Sequence, residues 1–226
     1  MSDDGIDLTH TFYGRCAQLY DLVANVPGVR SWRARAASAL DLSSGDTVVE
    51  MGCGTGANFP HLRKQVGPEG RIVGVDVVPA MLGQARRRVD RAGWENVYAV
   101  RGDARRPPVA EADAVLSTFL VGMLDTPAPA VREWITLVRP GRRVATLNAG
   151  RSDRLVALPV NLLLRAFVRL TAPGHRRTAR APVRSLEARW DEAREALLEC
   201  TVDHREERFG LGIVRLASGR VPDAND

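Results

Sequence analysis

Three carboxylates and three glycines carry the chemistry that this sequence displays. Glu50 stands just before Gly52, Gly54 and Gly56, in the run Val48-Val49-Glu50-Met51-Gly52-Cys53-Gly54-Thr55-Gly56. An apolar run that ends in an acid and enters closely spaced glycines reads as a buried strand turning into a helix. Glycine accepts positive φ and lets backbone approach a ligand with no Cβ in between. Asp76 closes a second apolar run, Arg71 to Asp76, and Gly102-Asp103-Ala104 follows a third, Val97 to Val100.

In doubly wound α/β folds ligands sit beyond the carboxyl ends of the strands, at the switch point. The three acids are therefore expected to face one crevice, where they suit a ligand with hydroxyl or ammonium donors. Asp76, ending the second strand, can accept both hydroxyls of a ribose. The glycines are spaced G-x-G-x-G, which is not the dinucleotide fingerprint G-x-G-x-x-G. An acid directly before them would repel a pyrophosphate. The Walker pattern is absent, which removes a P-loop. His10, His61, His175 and His204 are scattered, as are Cys16, Cys53 and Cys200, so no metal site or disulfide framework is expected.

The elements that must position these residues alternate in type. Helices are expected over Thr9 to Ala24, Ser31 to Leu40 (with Ser31 as N-cap), Ala57 to Val66, Pro79 to Ala92, Pro129 to Val138 and Ser185 to Ala196. Strands are expected over Thr47 to Met51, Arg71 to Asp76, Val97 to Val100, Ala112 to Ser117 and Arg143 to Leu147. Two more, Leu197 to His204 and Gly210 to Leu216, read as an antiparallel edge pair. Short apolar strands separated by amphipathic helices imply a parallel sheet covered on both faces. At 226 residues the chain suits one α/β domain. It divides into an N-terminal helical cap (1–42), a core (46–148), a helical basic insertion (151–196) and C-terminal strands (197–217).

At this point the motifs can be matched to a family. Glu50 to Gly56 resembles the first motif of class I S-adenosylmethionine-dependent methyltransferases. The resemblance continues through Val73-Gly74-Val75-Asp76, Met81-Leu82, Gly102-Asp103-Ala104, Ala112 to Ser117 and Leu137 to Arg143, covering about Asp46 to Asn148. It implies a Rossmann-like, mostly parallel seven-stranded sheet with an antiparallel C-terminal strand and a helical lid. It also implies S-adenosyl-L-methionine as cofactor. Glu50 would orient the turn and the methionine end, with Gly52, Cys53, Gly54 and Gly56 forming the close backbone. Asp76 would hold the ribose, Val77 and Met81 would flank the adenine, and Gly102, Asp103 and Ala104 would meet its edge. Ser117 and Thr118 would lie near the transferable methyl.

The acceptor is less legible. No Asn-Pro-Pro-Tyr follows the fourth strand, where Ser117-Thr118-Phe119-Leu120 stands, and Val121-Gly122-Met123 holds no histidine. Tyr20-Asp21-Leu22 followed by Trp32 resembles the opening of quinone-biosynthesis and phospholipid N-methyltransferases, which implies a small or lipidic acceptor, with a phospholipid amine or a quinone precursor favoured. Tyr13 and Tyr20 are the candidate catalytic residues, against a packing role for either. Net charge is +5, yet residues 151–190 hold nine arginines against Asp153 and Glu187, a local +7 that leaves −2 elsewhere. The apolar stretch Leu155 to Leu170, with Arg154, Asn161, Arg165 and Arg169 on one stripe, and the basic residues Arg176, Arg177, Arg180 and Arg184 suit an anionic membrane surface. A lid with merely solvated arginines is the competing reading. Nucleic acid is disfavoured, because aromatic residues are not interleaved with the basic ones. No apolar run spans a bilayer and the acidic N-terminus lacks a signal pattern, so a cytoplasmic protein is expected, in contact with membranes only peripherally. The alternatives are a methyltransferase for a soluble metabolite and a non-catalytic cofactor-binding adaptor.

Overall fold

The structure, a computed structural model, describes residues 27–150, 152 and 181–223. The expected helix Thr9 to Ala24, both candidate tyrosines Tyr13 and Tyr20, and the basic apolar stretch Leu155 to Leu170 with Arg176, Arg177 and Arg180 lie outside the described residues. In chain order the elements are α1 (Pro27–Ser38), β1 (Thr47–Met51), α2 (Phe59–Val66), β2 (Arg71–Asp76), α3 (Pro79–Ala92), β3 (Val97–Arg101), β4 (Ala112–Thr118), α4 (Pro127–Leu137), β5 (Val138–Ala149), α5 (Ala181–Cys200), β6 (Val202–Phe209) and β7 (Val214–Arg220).

Seven strands form one sheet in the order β3-β2-β1-β4-β5-β7-β6. The first five are parallel, while β7 runs antiparallel to both β5 and β6. All seven residues of β4 are buried, as expected of a strand covered on both faces. Alternate side chains go to opposite faces. Val48, Ile72, Ala114 and Leu116 pack with Ala36 and Ala37 of α1, Phe59 and Leu62 of α2, and Leu82, Ala85 and Val89 of α3. Val49, Val75 and Val115 pack on the other side, with Val131 and Trp134 of α4 and Trp190, Ala193 and Leu197 of α5. Chain order reverses between β1 and β4, so the switch point falls at the glycine turn.

Several boundaries differ from expectation for identifiable reasons. α1 begins at Pro27, ahead of the expected Ser31, since proline at a first turn lacks only an N–H that has no partner there. Ser31 is consequently inside the helix, where its hydroxyl donates to the Gly28 carbonyl at 2.7 Å, and it is not an N-cap. Leu197, expected in a strand, lies on the buried helical face of α5 with Trp190 and Ala193. The last two strands therefore begin at Val202 and Val214. Arg139-Pro140-Gly141 lies within β5, at a register shift between the Ala112–Val138 and Ala114–Arg143 pairs. Gly141 takes φ 79° at this irregularity.

The sheet's outer strand is held by charge. Residues 203–208 of β6 are all exposed. Ion pairs join Asp203 to Arg143, Arg205 to Asp41, Glu206 to Arg194 and Glu207 to Arg35. Charged residues on both faces of an edge strand oppose pairing with a further strand.

Candidate functional site

The strand β1 delivers Glu50 and then the glycine turn. Gly52, Gly54 and Gly56 all have positive φ, at 67°, 55° and 72°. Space is as decisive as conformation at Gly56, where an added Cβ would lie 2.6 Å from the Phe59 ring. The same ring closes on Gly74 of β2, where a Cβ would meet Phe59 Cζ at 2.5 Å and Cys53 Sγ at 2.8 Å. One fully buried phenyl ring thus sets how closely the turn approaches β2.

Asp76 fastens the turn from the neighbouring strand. Its Oδ2 accepts the Gly54 N–H at 2.8 Å and its Oδ1 accepts the Val78 N–H at 2.9 Å. Beside it Val77, Val78, Ala80 and Met81 form a small apolar cluster. Arg88 of α3 donates Nε to the Thr55 carbonyl at 3.1 Å, a second tie from this strand–helix unit to the turn. Cys53 is buried within the turn. Burial, with the nearby Glu50 and Asp76 carboxylates, pushes its thiol well above the usual range.

Glu50 is fully buried on the face covered by α1–α3. Asn58 Nδ2 donates to Glu50 Oε1, whereas Glu50 Oε2 has no hydrogen-bond partner. Burial pushes the Glu50 carboxyl up to about 8, against the downward pull of the Asn58 hydrogen bond and of Arg33. The network continues to Thr118 Oγ1, which accepts from both Asn58 Nδ2 and Arg33 Nη1 at 2.9 Å. Arg33 Nη1 also donates to Asn58 Oδ1 at 3.3 Å. Its guanidinium carbon lies 5.1 Å from the centre of the Phe119 ring. Phe119 itself takes φ 59°, an uncommon conformation for a bulky residue that tends to occur at functional sites.

The third acid is arranged differently. Both Asp103 oxygens are engaged by Arg105, whose Nη2 donates to Oδ2 at 2.6 Å and whose backbone N–H donates to Oδ1 at 2.9 Å. Hydrogen bonding to Arg105 holds the Asp103 carboxyl below the usual carboxylate range. The next residue is anchored from the opposite layer, where the fully buried Trp134 donates its indole N–H to the Ala104 carbonyl at 2.6 Å. Gly102 N–H bonds the Asp76 carbonyl at 3.0 Å, joining the ends of β2 and β3.

The structure brings Glu50, Cys53, Gly54, Asp76 and Thr118 together around the switch point, with Val77 and Met81 alongside Asp76. Ser117 and Thr118 face opposite sides of β4. Thr118 belongs to the Glu50 cluster, while Ser117 is buried under the other layer in register with Thr146. Among the described residues no group of His, Cys, Asp and Glu could hold a metal ion. Val121–Met123 forms a single 3-10 turn.

Arg33, Asn58, Arg105 and Trp134 were not singled out from the sequence. For Arg33 a signal existed, because it shares the helical stripe of Ala36, Ala37 and Leu40 and is thus a charge on an apolar face. Asn58 directly precedes α2 and invites an N-cap reading, but it makes no capping bond and turns to Glu50 instead.

Comparison with known proteins gives the same picture. A family of methyltransferase domains matches residues 48–141, the segment that holds the turn, all three acids and the end of β4. Over that segment the chain is similar to methyltransferase domains, and its fold is that of an S-adenosylmethionine-dependent methyltransferase. It is 33% identical over 142 residues to a 2-phytyl-1,4-naphtoquinone methyltransferase of Thermosynechococcus vestitus, covering 60% of this chain and 62% of that one. It is 30% identical over 154 residues to an uncharacterised 37.1 kDa protein of a Streptomyces fradiae transposon, covering 66% and 43% respectively. The chain thus spans less than two thirds of the length of these curated relatives. A crystal structure of an S-adenosylmethionine-dependent methyltransferase from Aquifex aeolicus superposes with TM-score 0.57 at 18% identity, over 84% of this chain and 89% of the other. That likeness implies S-adenosylmethionine as the cofactor, and the residues present fit it: Glu50 Oε2 is a buried acceptor without a partner, and the glycine turn is a cradle that Cβ atoms would fill.

Proposed function

We propose that the protein transfers the methyl group of S-adenosylmethionine to a small acceptor, with a quinone precursor as the favoured class. The observation that carries the methyl-donor half is the Asp76 carboxylate bonded to the Gly54 amide, with Glu50 buried beneath the same turn. Bound S-adenosylmethionine would supply an electrophilic methyl on a sulfonium. A carboxylate accepts about four hydrogen bonds, so Asp76 would take ribose hydroxyls as well as backbone amides. Val77 and Met81 would flank the adenine, and Asp103 with Ala104 would meet its edge, held in place by Arg105 and Trp134. Glu50 and the turn would receive the methionine end. Thr118, ending β4, would border the methyl.

Transfer from a sulfonium is an in-line displacement, so the residues act mainly by positioning and by excluding water. A base is required only where the acceptor must lose a proton. Tyr13 and Tyr20 are proposed for that side of the site, and Tyr→Phe changes there should lower kcat while sparing cofactor affinity. The naphthoquinone methyltransferase relative supports a quinone-precursor acceptor, in line with the resemblance of Tyr20-Asp21-Leu22 and Trp32. The basic stretch 151–184 supports work at an anionic membrane surface; no helix among the described residues is long and apolar enough to cross a membrane.

The test is calorimetric titration with S-adenosylmethionine, followed by labelled methyl transfer to demethylated naphthoquinones, phospholipid amines and a soluble metabolite extract. Absence of binding, or binding unchanged by Asp76→Ala, sinks the cofactor reading. Label entering only the soluble extract removes the quinone reading, and binding without any transfer identifies an adaptor. Flotation with anionic vesicles at low salt decides the membrane contact.

A further inference from the structure

On the face covered by α4 and α5, β4 and β5 are apolar at Val115 and Val144 and then turn polar at Ser117 and Thr146, which lie side by side in register. Two residues further along β5, on the same face, stands Asn148. Ser117 Oγ and Thr146 Oγ1 are buried without a hydrogen-bond partner. Asn148 is 7% exposed, and its amide forms no hydrogen bond with the described residues. Buried polar groups are ordinarily satisfied, and an amide side chain can both donate and accept. Three such groups on one face, at the carboxyl ends of the strands, call for a polar partner from outside the fold. Gly122 lies against the outermost of them. A Cβ added there would stand 3.0 Å from Asn148 Nδ2 and 3.0 Å from Leu186 Cδ2 of α5. Gly122 does not have positive φ, so glycine is needed at this position for space beside the amide and not for conformation.

We propose that Asn148 binds a ring oxygen of the methyl acceptor, with Ser117 and Thr146 as the polar floor behind it, an inference that rests on the quinone-precursor reading above. A ring hydroxyl donates and accepts, as the amide does, so one oxygen can satisfy both of its ends. Leu186 beside the amide supplies the apolar contact that the ring itself needs. The end of β4 then divides two ligands between its faces. Thr118 belongs to the Glu50 cluster on the cofactor side, and Ser117 points to the acceptor side. A buried amide also selects, because a ring that lacks the oxygen leaves it unpaired.

The experiment is an anaerobic binding series on the whole chain, saturated with S-adenosylhomocysteine, with 1,4-dihydroxynaphthalene and naphthalene as probes. The wild-type protein is expected to favour the diol by about 10-fold or more. In Asn148→Leu, which is similar in size and has no polar atom, affinity for the diol is expected to fall about 10-fold. Affinities for naphthalene and for S-adenosylhomocysteine are expected to change by less than about 3-fold. Gly122→Ala, whose methyl would crowd Asn148 Nδ2, should narrow the same preference, and it carries the test if the leucine variant does not fold. A diol preference unchanged in the folded variants, or an equal loss for both probes, would assign Asn148 a structural role and overturn the proposal. A wild-type protein that binds naphthalene as tightly as the diol overturns it alone, with a ring acceptor still in place. Binding of neither probe, with S-adenosylhomocysteine bound, overturns the quinone-precursor reading along with it.

Discussion

Replacing Glu50 by glutamine should make the protein more stable, and increasingly so as pH rises. The side chain is fully buried and its carboxyl is raised from an ordinary 4.5 to about 8, with desolvation as the largest cause. Between these two values the unfolded chain has released this proton and the folded chain still holds it. The unfolded state then binds fewer protons, so stability declines as pH climbs through that window and levels off above it. At 1.36 kcal/mol per pH unit, the gap from 4.5 to about 8 corresponds to at most on the order of 5 kcal/mol. Glutamine is isosteric, retains an acceptor for Asn58 and carries no proton to lose. Urea denaturation followed by circular dichroism, from about pH 5 to about pH 9, should show the two proteins diverging by a few kcal/mol in favour of Glu50→Gln. Every other titrating group is common to both proteins and cancels in the difference. Parallel curves across the range, or a glutamine variant that loses ground as pH rises, would refute the reasoning.

Three further outcomes follow from the same geometry. Near pH 6, binding of S-adenosylhomocysteine should release close to one proton from Glu50, because its ammonium favours the ionised carboxylate; titration in buffers of different ionisation enthalpy measures this, and Glu50→Gln should abolish it. Trp134→Phe removes the indole donor to the buried Ala104 carbonyl, at an expected cost of about 1–3 kcal/mol in urea denaturation. The same change should weaken cofactor binding through the Gly102–Arg105 loop, and unchanged affinity would show that this loop lies clear of the adenine. Gly74→Ala should destabilise by about 1–3 kcal/mol, since its Cβ would enter the space of Phe59 and Cys53; a thermal melt indistinguishable from wild type would contradict the packing described.

The parts of the fold that the sequence makes plain are those where a local pattern meets little competition. β1, β2 and α3 have the bounds expected from their apolar runs and from Pro79 and Gly93, which take the first turn and the left-handed end of α3. The glycine turn and the acids Glu50 and Asp76 are legible because strand ends and positive-φ positions are set locally. β6 is not, since Asp203 to Arg208 is a run of polar residues, five of them charged, whose strand conformation comes from β7 and from ion pairs with distant residues. Nor is the Arg33–Asn58–Thr118 network, which joins residues 25 and 85 positions apart. Periodicity places Arg33 on the buried face of α1 but cannot say what it meets there.

The phenyl ring of Phe59 has a consequence for how this turn can change over generations. Because it fills the space that side chains at both Gly56 and Gly74 would need, the three positions are coupled through one volume. A larger residue at 74 would become tolerable only after the ring had shrunk, for example to leucine, and after Cys53, whose Cβ and Sγ would each lie 2.8 Å from the new Cβ, had yielded too. Gly56 would gain nothing from that exchange, since its backbone at φ 72° still disfavours any side chain. Sequence drift should therefore run in order, first at 59 and then at 74, with 56 left fixed. A library randomised at all three positions and selected for folding would reveal that order as a dependence of residue 74 on residue 59, with no such dependence at 56.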